Sequence, residues 1–124
     1  MIKRLLLAAF AAITLTASCA SAADTKPKTV IHVITVKWNP DAKPAQIEQA
    51  IHAAEALPSQ YPGITRVWTK VIKKQIPDGY NQIIVMEFAS EDALKKYVDS
   101  PAQKKWYELY MPVREESFTS DITN

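Results

Sequence analysis

Cysteine, glycine and histidine are scarce in this sequence, and each scarcity excludes a class of site. The single cysteine, Cys19, lies in a segment with the features of a cleavable leader, so the remaining chain can form neither a disulfide nor a thiolate metal site. The two glycines, Gly63 and Gly79, are too few for the glycine-rich loops that bind nucleotides. The two histidines, His32 and His52, are predicted on different elements, so no metal site is expected.

The charge balance gives no support for nucleic-acid binding. The chain has 15 Lys and Arg against 13 Asp and Glu. Lys3 and Arg4 precede an apolar run over residues 5–15 and the small residues Ala20-Ser21-Ala22, which is the layout of a secretory signal peptide. Cleavage after Ala22 removes both of these basic residues and leaves a formally neutral domain. No nucleic-acid partner is therefore predicted.

Two processing routes are open for the N-terminal segment. Residues 1–22 are predicted to be a signal peptide, residues 23–28 a flexible tether and residues 29–124 the folded domain, in the periplasm or secreted. Alternatively, the segment ending at Cys19 resembles a bacterial lipoprotein box, in which Cys19 is acylated and anchors the protein to a membrane. Thr16 stands where that box prefers leucine, which favours cleavage after Ala22. Either route exports the domain.

Hydrophobic spacing predicts an α+β fold with the order β-α-β-β-α-β, the ferredoxin-like arrangement. One helix is predicted over Pro44–Leu57, and a second helical region follows the cap Ser90 and restarts at Ser100-Pro101. The predicted strands are Val30–Trp38, Ile64–Ile72, Asn81–Phe88 and a short last strand, Phe118–Ile122.

The first and third predicted strands carry apolar residues on both faces. On the first strand, Val30, Ile34 and Val36 share one face while Ile31 and Val33 share the other. So small a domain can cover only one face of its sheet with its own helices. A second copy of the chain is the economical cover for the other face, and a homodimer is therefore predicted.

Four spaced segments resemble the stress-responsive α/β-barrel (Dabb) domain family. The resemblance covers about Thr29 to Asn124, and it implies a homodimer in which two four-stranded sheets face each other and close a barrel with a cavity on each side. The segments are IHVITVKW at Ile31–Trp38, YPGITRVWTK at Tyr61–Lys70, GYNQIIVMEFAS at Gly79–Ser90 and YVDSPAQKKWY at Tyr97–Tyr107.

The resemblance also implies a frame for a catalytic site. A plant polyketide cyclase of this family uses a His-Pro-Ala-His segment, whose last histidine is the general base, with a tyrosine six residues earlier that polarises the substrate. The matching segment here is Ser100-Pro101-Ala102-Gln103, preceded by Tyr97. An amide cannot take a proton near neutral pH, so Gln103 does not replace that base. Gln82 stands in the place of a further family histidine, and only His32 on the first strand matches.

These residues favour binding of a small apolar or aromatic molecule in the barrel cavity, without a cofactor. The alternative is a cofactor-free enzyme, a cyclase, lyase or monooxygenase, in which His32 and Tyr97 are catalytic. The candidate ligand-binding residues are His32, Trp68, Gln82, Tyr97, Gln103 and Tyr107.

Each candidate also has a structural interpretation. No partner carboxylate for His32 is evident nearby in the sequence, so a neutral histidine hydrogen-bonded at the barrel wall is an alternative. The spacing of Trp106 and Tyr110 favours core packing. For Arg114-Glu115-Glu116 the alternatives are an anion site, a dimer salt-bridge cluster or a solvated polar loop, and the loop is favoured.

Overall fold

The strands and helices follow one another in the predicted order. The computed structural model describes residues 28–124, so the predicted signal peptide and Cys19 lie outside the described residues. The elements are β1 (Val30–Trp38), α1 (Pro44–Glu55), α2 (Leu57–Gln60), β2 (Ile64–Trp68), β3 (Gln82–Phe88), α3 (Glu91–Tyr97), α4 (Pro101–Tyr110) and β4 (Arg114–Ile122).

The four strands form one antiparallel sheet in the order β2-β3-β1-β4. In this sheet Ile34 of β1 lies opposite Ile84 of β3 on one side and Thr119 of β4 on the other. Residues directly opposite each other in an antiparallel pair point to the same face, so these three side chains share a face. The arrangement confirms the ferredoxin-like α+β fold.

Proline and serine residues determine where the helices begin. α1 begins at Pro44 as predicted but ends at Glu55, two residues earlier than expected. Pro58 cannot donate a backbone hydrogen bond to an extended α1, and it lies instead in the first turn of the short α2. At α3 and α4, the hydroxyls of Ser90 and Ser100 accept hydrogen bonds from the backbone N–H of the third residue of each helix, which confirms both predicted caps.

Two strands differ by more than one residue from the lengths that the sequence predicts. β2 ends at Trp68 rather than Ile72, and the Gln82 side-chain amide donates to the Thr69 carbonyl at 2.6 Å, in place of a ladder hydrogen bond. β4 begins at Arg114 rather than Phe118, so Arg114-Glu115-Glu116 lies in a strand and not in the predicted loop, although Glu115 and Glu116 are exposed to solvent as predicted. β4 is longer than predicted because the backbone of β1 offers it hydrogen-bond partners over this stretch. β4 lies at the edge of the sheet, where charged side chains are tolerated.

The hydrophobic core lies between one face of the sheet and the helices. On that face Val36, Ile84, Met86 and Phe88 have no exposed surface. Leu57 from α2 is buried against them, together with alanines of α1 and the aromatic residues of α3 and α4. We call this side of the sheet the helix-covered face.

The other side of the sheet, the open face, has no helix over it within the described residues. At its centre Val33 of β1 pairs with Val85 of β3, and neither belongs to the core cluster. Toward the edges, Trp68 and Phe118 are 44% and 50% exposed. Its apolar side chains are Ile31, Val33, Trp68, Ile83, Val85, Phe118 and Ile122, and ion pairs lie at its ends.

Candidate functional site

A pocket of about 610 Å³ opens between the helix-covered face at β1 and β4 and the helices α3 and α4. Because it is formed within one chain, it does not depend on a second sheet, which differs from the predicted cavity of a barrel between two subunits. The physical reason is strand alternation: His32 shares the helix-covered face with Val30 and Ile34 and therefore points towards the helices. Side chains that surround the pocket include His32, Lys95, Tyr97, Tyr107, Tyr110 and Arg114.

His32 on the pocket wall is paired with an acid that is distant in the sequence. Its Nδ1 lies 2.5 Å from Oδ1 of Asp121, 89 residues away, because the β1–β4 register places the two residues opposite each other. The imidazole also packs edge-on against Phe88, with ring centroids 5.9 Å apart. The absence of a nearby acid in the sequence was therefore misleading, since sheet pairing supplies one.

Tyr97 is a buried residue whose hydroxyl has no partner among the described residues. The side chain is 2% exposed and packs against the rings of Phe88 and Tyr61, with centroids 5.2 and 5.5 Å away. Its hydroxyl makes no hydrogen bond there. Burial, more than any other factor, raises the pKa of Tyr97 above its ordinary value, so the phenol stays neutral over the physiological range.

The α4 wall of the pocket is aromatic. The rings of Trp106 and Tyr110 stack at 4.4 Å with planes 9° apart, and the Trp106 indole N–H donates to the Ala50 carbonyl at 3.0 Å. These contacts confirm the predicted core packing of both residues, although each also borders the pocket. Tyr107, in contrast, is 37% exposed at the pocket.

Gln103 has a defined structural role at the position where the family cyclase has its base. Its side-chain carbonyl accepts a hydrogen bond from the Asp99 backbone N–H at 2.7 Å, and its amide donates to the Tyr107 hydroxyl at 3.3 Å. Asp99 has a positive φ of 63°, so the first bond fixes an unusual turn between α3 and α4. Gln103 therefore orients Tyr107 and cannot act as a base.

Arg114 lines the pocket, whereas the sequence favoured a solvated loop over an anion site at this position. Its Nη1 donates to the Ser117 hydroxyl at 3.0 Å, while its Nε is buried without a partner among the described residues. The guanidinium carbon lies 5.9 Å from the centroid of the Tyr110 ring. Only the pairing of β4 with β1, which places Arg114 opposite Trp38, could have identified it.

Tyr110 has a second buried hydroxyl without a hydrogen bond among the described residues. Burial raises its pKa, whereas Ser117 and Arg114 lie close enough to oppose that rise without reaching hydrogen-bond geometry. This part of the pocket therefore combines a buried phenol hydroxyl and a buried guanidinium Nε, neither of which has a hydrogen-bond partner among the described residues.

Two of the six predicted ligand-binding residues lie away from this pocket. Trp68 is on the open face, with the Arg66 guanidinium carbon 5.3 Å from its ring centroid. Gln82 uses its amide to bind the carbonyls of Thr69 and Ile83. The structure brings together the other four, which are His32, Tyr97, Gln103 and Tyr107.

The described part of the chain, residues 28–124, has neither a candidate metal-ion cluster nor a candidate membrane-spanning helix. Its His, Asp and Glu residues form no group of three or more that could hold a metal ion. None of its helices has the length and hydrophobicity needed to cross a bilayer.

The sequence of the folded part matches the model of a known domain family. The model of the stress responsive A/B barrel domain (Dabb) matches residues 30–124. The chain belongs to the Dabb family. A search of curated proteins gave no significant match.

Solved structures with the same fold include proteins of known and unknown activity. A dimeric ferredoxin-like protein of unknown function from Thermobifida fusca is 21% identical to this Dabb domain, with a TM-score of 0.65 over 77% of this chain and 91% of the other. Hydroxynitrile lyase from Passiflora edulis is 17% identical, with a TM-score of 0.71 over 79% and 94%. A variant of SnoaB, a cofactor-independent oxygenase from Streptomyces nogalater, is 14% identical, with a TM-score of 0.61 over 78% and 93%. At these identities the likeness establishes the fold.

Proposed function

We propose that this Dabb domain binds a small aromatic molecule in the pocket between the helix-covered face and α3 and α4. The observation that carries the proposal is the pair of buried hydroxyls of Tyr97 and Tyr110, neither of which has a hydrogen-bond partner among the described residues. A buried polar group without a partner costs about 1–3 kcal/mol, so such groups are satisfied in most folded proteins. A bound molecule with oxygen or nitrogen atoms would satisfy both.

The shape of the pocket supports an aromatic ligand. Its volume of about 610 Å³ lies in the range of small-molecule sites. Trp106, Tyr107 and Tyr110 line one wall, and aromatic rings favour offset or edge-on contact with another ring.

A titration with an uncharged aromatic probe tests this proposal. Addition of 1-naphthamide, followed by ¹H–¹⁵N NMR, is expected to shift the signals of Tyr97, Tyr107 and Tyr110 in a saturable manner. Thr119→Trp, which fills the pocket from exposed β4, should abolish the shifts, whereas Lys104→Trp on the outer side of α4 should not. Shifts that do not saturate, or that persist in Thr119→Trp, would contradict the proposal.

We also propose that the domain acts as a homodimer joined through the open face. The apolar centre of that face, around Val33 and Val85, has no cover within the described chain. The Thermobifida fusca protein is described as dimeric, and so are ferredoxin-like proteins from Bacteroides fragilis and Jannaschia sp.. Burial of such a surface between two copies would be favourable at about 25 cal/mol per Å² of apolar area.

Export is a further part of the proposal, and it rests on the sequence alone. Lys3, Arg4, the apolar run and Ala20-Ser21-Ala22 support cleavage of a signal peptide. The intact mass of protein purified from its host should correspond to a chain that begins at Ala23. An acylated chain that begins at Cys19 would instead identify a membrane-anchored lipoprotein, and an uncleaved chain would contradict export by either route.

Acid–base catalysis is a second candidate function, favoured by the His32–Asp121 pair. A carboxylate on Nδ1 orients the imidazole and leaves Nε2 able to accept a proton, and Tyr97 borders the same pocket as a neutral hydroxyl donor. The described lyase and oxygenase neighbours make this class of reaction worth testing. His32→Gln should then abolish turnover of an offered substrate, such as cleavage of mandelonitrile to benzaldehyde and hydrogen cyanide, while 1-naphthamide still binds. Equal rates in both proteins would contradict catalysis.

A further inference from the structure

We propose that the aromatic ligand carries a carboxylate, and that Arg114 binds it beside Tyr110 in the pocket. This inference rests on the proposed function, because it names the chemical class of the molecule bound at the same site. It depends on the contacts of Arg114 and Tyr110 and on the distribution of charge around them.

Arg114 is a cation whose binding capacity is only partly used. One nitrogen, Nη1, donates to the Ser117 hydroxyl at 3.0 Å, and the buried Nε has no partner within residues 28–124. No ion pair to Arg114 is found in that range. Its neighbour Glu115 extends instead towards Lys37, with Oε2 3.8 Å from Nζ.

The charge around the pocket favours an anion. Lys95 and Arg114 line it as cations, whereas Asp121 is its lining carboxylate and already binds His32. A guanidinium removed from water is stabilised when a carboxylate approaches it, and its planar N–H edge matches the two oxygens of that group. The described chain supplies no such carboxylate to Arg114, so the ligand is the natural source.

Tyr110 makes a carboxylate a better fit than a neutral carbonyl. Its hydroxyl is buried and unpaired, and it lies near Arg114 and Ser117. A carboxylate has two oxygens and can accept from the Arg114 Nε–H and the Tyr110 hydroxyl together. An amide carbonyl could accept these hydrogen bonds but would leave the guanidinium charge uncompensated.

The test compares two probes that differ in charge. Calorimetric titrations of 1-naphthoate and 1-naphthamide use the purified full-length protein at neutral pH and low salt. Wild type should bind the naphthoate about tenfold to hundredfold more tightly, which is the range of a charge-assisted hydrogen bond. Arg114→Gln should reduce that preference for naphthoate over naphthamide to less than about threefold. Lys104→Gln, which removes an exposed cation from α4, should keep the full preference.

Arg114→Lys is a second variant for the case in which Arg114→Gln does not fold. It retains the positive charge but lacks the planar guanidinium group. It should bind naphthoate with an affinity between those of wild type and Arg114→Gln. Circular dichroism melting of each variant identifies any that do not fold.

The outcomes separate this inference from the proposed function. Equal affinity of wild type for both probes would overturn the carboxylate inference and leave aromatic binding in place. A naphthoate preference that survives in Arg114→Gln would overturn the assignment to Arg114. Saturable binding of neither probe would overturn the aromatic pocket and this inference with it.

Discussion

Asp121 lies opposite His32 in the β1–β4 ladder, and its carboxylate oxygen is 2.5 Å from Nδ1 of the imidazole. A carboxylate in that position accepts a hydrogen bond, so Nδ1 carries the proton when the ring is neutral and Nε2 is left as the acceptor. The pair thus determines which nitrogen of His32 is available to a molecule in the pocket.

The tautomer of His32 is a direct prediction of this contact. Long-range ¹H–¹⁵N correlation spectra should show the Nδ1–H form for neutral His32 in the wild type. In Asp121→Asn the preference should weaken, because a neutral amide accepts a hydrogen bond less strongly than a carboxylate. Predominance of the Nε2–H form in the wild type would contradict the geometry.

Tyr97→Phe is expected to separate stability from binding. Because the hydroxyl is buried without a partner, its removal should leave the free energy of unfolding unchanged or raise it by up to about 1 kcal/mol. Naphthamide affinity should fall in the same variant. Tyr97→Ala is the contrasting variant, since loss of the ring against Phe88 should cost about 3–5 kcal/mol. Urea unfolding measures both, and a clear loss of stability in Tyr97→Phe would indicate a structural role for the hydroxyl.

Alkaline pH should destabilise the fold partly through Tyr97. Burial raises its pKa in the folded state, so above about pH 10 the unfolded chain loses a proton that the folded chain retains. Stability therefore falls as the pH rises through that range. Tyr97→Phe lacks this contribution, and its unfolding free energy should fall less steeply from about pH 9 to about pH 11. Both proteins have the same lysines, so lysine contributes equally to the two curves of unfolding free energy against pH. Parallel curves would therefore show that Tyr97 does not contribute.

A single charge on the open face should dissociate the proposed dimer. Val85→Glu places a carboxylate at the apolar centre of that face, where a second copy would have to desolvate it. Light scattering should give a dimer mass for wild type and a monomer mass for the variant. Val98→Glu makes the same substitution at an exposed position after α3 and should remain dimeric. A monomeric wild type at micromolar concentration would exclude the dimer.

Most of the fold could be predicted from the sequence because its signals are local. β1 and β3 are dense in β-branched residues, and Ser90 and Ser100 cap the helices they precede. β4 was predicted too short because Arg114-Glu115-Glu116 has no strand signature of its own. Its extended form depends on hydrogen bonds to the edge of β1, which is far away in the chain.

The site was less predictable, because its contacts depend on the pairing of strands that are far apart in the chain. Tyr97 and His32 could be selected from their residue types and the family pattern, but their partners depend on the register of the sheet. Asp121 reaches His32 only because β4 returns beside β1, and that return also carries Arg114 to Tyr110. The position of the pocket, inside one chain, depends on how α3 and α4 pack over that sheet.

Native mass spectrometry of protein purified from its own host, without added ligand, tests most directly whether the pocket holds a small aromatic molecule. We expect one additional small mass per chain, with ultraviolet absorption once released by denaturation, and none on Thr119→Trp purified in the same way. A bare wild-type protein, or the same mass on the pocket-filled variant, would contradict it.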